Sequence, residues 1–218
     1  MSDSDSFINE VTEEVRREKL YGYLRRYGWI AVAAVLILVG GAAFNEYRSA
    51  QSRAQAEATG DALLAALTLD DEAQRAQALA AIDSAGPSSA VALLLQASAE
   101  QATGDAEAAA ATLNAVATNP EVPELYRDLA AFKAALLPVG DVAARKDTLE
   151  ALAAPGRPYS LLAQEQLAYI ALEEGDTDAA MAILRRIDED AAVTRGLRER
   201  ARMLMVALGE PLPDAVNQ

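Results

Sequence analysis

The chain has 218 residues, with 19 Lys and Arg against 33 Asp and Glu, a formal net charge of −14. So acidic a chain repels nucleic acid and anionic surfaces rather than binding them. It has no His and no Cys, which excludes Ser-His and Cys nucleophiles, imidazole acid–base chemistry, the usual zinc sites, disulfides and a cysteine-linked lipid anchor.

Residues 1–6 are polar and are expected to fray. From Phe7, Ile8, Val11 and Val15 form an apolar stripe at helical spacing, with Ser6 as cap, and Leu20, Leu24 and Tyr27 continue it. The N-terminal segment 1–26 is therefore expected to carry an amphipathic helix from Phe7 onward, either docking a partner or lying at a membrane interface.

Tyr27–Phe44 carries 18 residues without a charge. As a helix it would span roughly 27 Å, close to the apolar thickness of a bilayer. Tyr27, Trp29 and Tyr47 stand at its ends, where amphipathic rings favour the headgroup level. Arg16, Arg17, Lys19, Arg25 and Arg26 precede it, whereas only Arg48 and Arg53 follow closely. That asymmetry predicts one transmembrane helix over 27–44, with 1–26 cytoplasmic and the remainder exported. A buried core helix and a cleaved signal peptide are the competing readings; the long leader with Glu10, Glu13, Glu14 and Glu18 argues against cleavage.

Beyond the span, Asn45–Leu67 lacks proline and is expected to continue as helix, with Leu63, Leu64 and Leu67 as its apolar face. After Leu69-Asp70-Asp71 a second helix should carry Leu79 and Ile82, closed by Ser84-Ala85-Gly86-Pro87. Gly-Asp then recurs at Gly104-Asp105, Gly140-Asp141 and Gly175-Asp176, spaced 36 and 35 residues apart, and Gly209 follows 34 residues later. Nine residues past the first three glycines stand Leu113, Leu149 and Leu184; twelve past stand Val116, Leu152 and Ile187. A helix, a glycine turn and a second helix at that period is the spacing of tetratricopeptide repeats. Glycine supplies the left-handed turn and aspartate caps the next helix. Ala97, Ala109, Ala168 and Ala180 let paired helices approach.

The pattern is degenerate. Gly60-Asp61 falls outside the period, most consensus aromatics are missing, and Pro138-Val139 marks a short insertion. Asn119-Pro120 with Pro123, and Pro155-Gly156-Arg157-Pro158, separate units. A last helix is expected over about 194–208, then a flexible tail, 211–218. No alternating β pattern occurs. The expected fold is all-α: an amphipathic helix, a transmembrane helix, and a tetratricopeptide-repeat-like right-handed α-solenoid over 45–210.

Carboxylates are the catalytic vocabulary that remains. Asp70-Asp71-Glu72 and Asp188-Glu189-Asp190 fall at expected helix ends, where acids cap. Calcium-loop and phosphate-loop spacings are absent. The reading is a non-enzyme with no cofactor, no metal and no nucleic acid, binding proteins along a helical-repeat surface. Candidate partner-binding residues are the basic strip Arg195, Arg198 and Arg202, against which stands local pairing with Glu199. Tyr126, Tyr159 and Tyr169 are candidates too, against which stands ordinary packing between helices.

The lead EEVRREKLYGYLRRYG with the following Trp29, one span and a degenerate repeat ectodomain together resemble the ancillary SecYEG translocon subunit family, over about Ile8 to Leu208. The resemblance implies a single-pass inner-membrane protein with a periplasmic domain. It would sit beside the Sec translocon with a periplasmic chaperone or prolyl isomerase as partner, and it carries over no catalytic residue. The expected function is an adaptor that binds chaperones or emerging substrates; the alternative is a structural accessory subunit of another inner-membrane complex.

Overall fold

A computed structural model describes residues 3–82 and 87–210; of the side chains, it leaves out those before Arg25 and those of Tyr27, Gly28, Ala31, Val32 and Pro87. Among the described residues there are nine helices and no strand. They are α1 (Asp3–Leu67), α2 (Glu72–Ala80), α3 (Pro87–Ala102), α4 (Ala106–Thr118), α5 (Glu124–Ala135), α6 (Val142–Leu152), α7 (Ser160–Glu173), α8 (Thr177–Glu189) and α9 (Arg195–Ala207). The chain is all-α. It divides into two units, 1–58 and 59–218.

The helix α1 is unbroken from Asp3 to Leu67, so the helix expected to continue through 45–67 does so. With no proline and many Ala, Gln, Glu and Arg residues, nothing in 45–67 stops helix propagation. Among the described residues no helix is long and apolar enough to cross a membrane. The expected span is only partly among them, because four of its side chains are not described. The stripe Ile8, Val11, Val15, Leu20 and Leu24, the cap at Ser6, the turn at Ser84-Ala85-Gly86 and the tail 211–218 lie outside the described residues or side chains.

In the second unit the glycine turns set the architecture. Around Gly104, the amide of Asp105 donates to Glu100 O and that of Gly104 to Gln101 O, both at 3.0 Å. The same two bonds recur at Gly175, to Ala171 O and Leu172 O, and at Gly209, to Met205 O and Val206 O. They satisfy carbonyls that a helix end leaves open, and they need a left-handed residue: φ is +86° at Gly104, +81° at Gly175 and +98° at Gly209. The aspartate after each internal turn starts the next helix. Asp105 Oδ1 accepts from Ala108 N and Asp176 Oδ1 from Ala179 N, each at 2.9 Å.

The middle unit departs from this pattern. Gly140 has φ +81°, and Asp141 caps α6 through Ala143 N at 3.3 Å, but α5 has already ended at Ala135. Pro138 cannot continue a helix, so Leu136–Val139 forms a separate link whose Leu137 is buried. Gly140 therefore opens α6 rather than closing α5. The α2 helix also stops short of Ile82, whose amide bonds back three residues to Leu79 O at 3.2 Å.

The helices α2 to α9 pack chiefly on their neighbours in sequence, with an additional α3–α5 contact. Leu113, Leu149 and Leu184 are at most 1 % exposed, and Val116, Leu152 and Ile187 are buried beside them. Burying each such side chain contributes about 1.5–3 kcal/mol. The completely buried Ala109, Ala168 and Ala180, with Ala97, stand where paired helices cross, and a larger side chain there would hold them apart. Apolar burial is divided among four clusters: one of α7–α9, one of α3–α5, one of α5–α7, and one joining the end of α1 to α2 and α3.

Candidate partner-binding surface

Thr194 accepts from Leu197 N and starts α9, which presents Arg195, Arg198 and Arg202. All three have acidic or carbonyl partners close by. Arg195 Nε donates to Glu199 Oε1 at 2.8 Å, one turn along the same helix. Arg202 Nε donates to Asp188 Oδ1 at 2.6 Å. Arg198 lies 3.8 Å from the same carboxylate oxygen and donates to the backbone carbonyls of Asp188 and Asp190. Two of the arginines thus converge on the C-terminal end of α8, where guanidinium charge complements the free carbonyls.

The three tyrosines are spread over different helices. Tyr126 packs against the α3–α5 cluster. Tyr159 precedes α7 and stacks on Phe132, with centroids 5.9 Å apart and planes 9° apart. Burial pushes its phenol above the usual value, and the nearby Asp128 carboxylate adds to the shift. Tyr169 is exposed on α7.

The acidic clusters sit at helix ends. Asp71 caps α2 through Gln74 N at 2.8 Å, and Glu72 pairs with Arg75. Asp188 receives Arg198 and Arg202 of α9, and Asp190 Oδ1 accepts from Ala192 N at 2.7 Å. Among the described residues no group of three or more metal-ligating side chains occurs.

Three features escaped the sequence reading. Glu165, 5 % exposed, accepts from Arg200 Nε at 2.7 Å and Nη2 at 2.8 Å, joining α7 to α9. This bond, ahead of the opposing desolvation, raises the Arg200 pKa above its ordinary value. Asp128, 6 % exposed, lies 3.1 Å from Arg157 Nη1, which also reaches Glu124. The only local signal for either is an acid set among apolar helix neighbours. The third feature is a groove of about 390 Å³ lined by α4, α5 and α6, with Ala110, Ala117 and Ala134 along it and Asn114, Thr118, Asp141, Arg145 and Thr148 as its polar groups. A twin set of ion pairs lies nearby: Lys146 Nζ bonds Glu174 at 2.9 Å and Arg145 lies 3.9 Å from Glu173. The bond to Glu174 and its charge raise the Lys146 pKa.

Searches of protein-family models, of curated proteins and of solved structures find no match to this chain.

Proposed function

We propose that the chain is a membrane-anchored, non-catalytic adaptor: α1 is held in a bilayer through 27–44, and a tetratricopeptide-repeat-like solenoid beyond it binds folding factors or emerging substrates of the Sec translocon. The observation that carries this reading is the bare apolar surface of α1. Trp29, Leu36, Ile37 and Leu38 are 69, 67, 74 and 72 % exposed, and no described side chain from 29 to 58 is buried. A continuous apolar helix surface of this kind needs a cover, and lipid fits an uncharged run of 18 residues. The arginine-rich lead orients the helix with its N-terminus in the cytoplasm and its C-terminal domain in the periplasm of the bacterial inner membrane.

Sequential helix packing, left-handed glycines at a spacing of 34–36 residues, and matching caps at Gly104, Gly175 and Gly209 support the solenoid reading. The translocon as location rests on the resemblance of the lead, span and repeat order. Protease added to spheroplasts should remove the domain after Asn45 and leave a short membrane-protected fragment. Crosslinking in native membranes should then enrich translocon subunits together with a periplasmic chaperone or prolyl isomerase. A domain resistant to protease in intact spheroplasts overturns the topology. Absence of those partners with the topology intact overturns the location alone, and loss of all partners on deleting residues 1–26 favours an accessory subunit.

A further inference from the structure

The helices α3, α7 and α9 end in the same pair of hydrogen bonds around Gly104, Gly175 and Gly209. Positions can therefore be counted back from each glycine in one register. Fourteen and seven residues before it, α3 carries Ala90 and Ala97, and α7 carries Leu161 and Ala168. In both helices these residues face the helix that follows. Ala90 and Ala97 share a cluster with Ala109, Leu113 and Val116 of α4. Leu161 and Ala168 pack with Ala180, Leu184 and Ile187 of α8.

In α9 the same two positions hold Arg195 and Arg202. At the position eleven before the glycine, where α3 has Leu93 and α7 has Gln164, stands Arg198. A further arginine, Arg200 nine before the glycine, lies on another face and pairs with Glu165 of α7, while the positions turned to α8 stay apolar. Twelve and eight residues before the glycine α9 carries Leu197 and Ala201, both buried against α8. A helix seated on the arginine face would strip water from three guanidiniums, each at a cost of several kcal/mol unless newly paired. Arg198 and Arg202 are already committed to Asp188, and Arg195 to Glu199.

We propose that α9 is the closing helix of the stack, its Arg195–Arg198–Arg202 face refusing the second helix that α3 and α7 accept at the same register. This does not depend on the membrane reading. It assigns the arginine strip a role in ending the repeat and in keeping the helices of a second copy from seating there.

The test is a fluorescently labelled peptide of residues 176–190, the second helix of the preceding unit with its aspartate cap, titrated against the full chain in detergent micelles. The wild type is compared with Arg195→Leu/Arg198→Gln/Arg202→Ala, which installs the α7 residues in register. The variant should bind the peptide at least about tenfold tighter than the wild type, and a Leu184→Asp peptide should lose that gain. Equal binding by both chains, with helical circular dichroism unchanged, overturns the proposal. Loss of helix in the triple variant also overturns it, because the arginines would then be fastening α9 rather than closing it. Arg195→Leu alone, at a side chain 93 % exposed with its ion pair inside α9, should stay folded and bind about threefold tighter; no gain there overturns the role of that residue.

Discussion

Glu165 on α7 and Arg200 on α9 form a two-pronged ion pair across 35 residues of chain, with the carboxylate buried and the guanidinium half-exposed. The geometry matches the fork of the guanidinium to both carboxylate oxygens. Removing Arg200 leaves the Glu165 carboxyl enclosed without its partner. Arg200→Ala should therefore lower stability by about 1–3 kcal/mol in denaturant unfolding. Replacing both residues with Met should restore most of that loss, since apolar groups of similar volume need no compensation.

Two glycines should respond in opposite directions to the same change. Gly175 sits at φ +81° in the cap between α7 and α8. Gly175→Ala should cost about 1 kcal/mol although the space around it is open. Gly60 lies within α1 at ordinary helical angles with nothing within 4 Å. Gly60→Ala should gain about 0.5–1 kcal/mol of helix stability. Thermal unfolding of the two variants checks both signs.

Leu184, completely buried among α7, α8 and α9, should lose about 2–5 kcal/mol on substitution by Ala. Met203, 64 % exposed on α9, should change by no more than about 0.5 kcal/mol under the same truncation. Equal effects at the two positions would contradict the side-chain packing of α9.

Burial raises the Tyr159 phenol above its ordinary value in the folded chain. The folded state therefore holds that proton more tightly than the unfolded state. The associated stability is complete below the unfolded value of about 10 and is lost as pH rises through the higher folded value. Stability measured on the alkaline side of 10 should fall, and Tyr159→Phe should remove part of that fall. Ultraviolet titration should show a late-ionising phenol that is lost in Tyr159→Phe.

The period of Gly104, Gly140 and Gly175, with the leucines nine residues beyond, made the helix pairs legible because each role is coded by position relative to a turn. The final helix was legible as well: the expected range 194–208 encloses α9, Arg195–Ala207, which the structure caps at Thr194 and Leu208. Gly140 misled because a proline two residues earlier had already ended α5. The contacts Glu165–Arg200 and Asp128–Arg157 were hidden, since an acid and a base about thirty residues apart carry no local periodicity. The α4–α6 groove was hidden as well: its alanines serve equally in tight helix crossings and on open surfaces. Where α1 shifts from apolar to polar near Phe44 the backbone gives no sign, because helix propagation depends on the absence of breakers rather than on hydropathy.

Helices that lean chiefly on the one before and the one after have a mechanical consequence. Work done on α9 reaches α3 only by way of the intervening links, so loosening can be graded rather than all-or-none. A ligand that prises the last pair apart would leave the α3–α4 pair standing. Amide protons should accordingly report a ladder of opening energies along the domain, in place of one shared value.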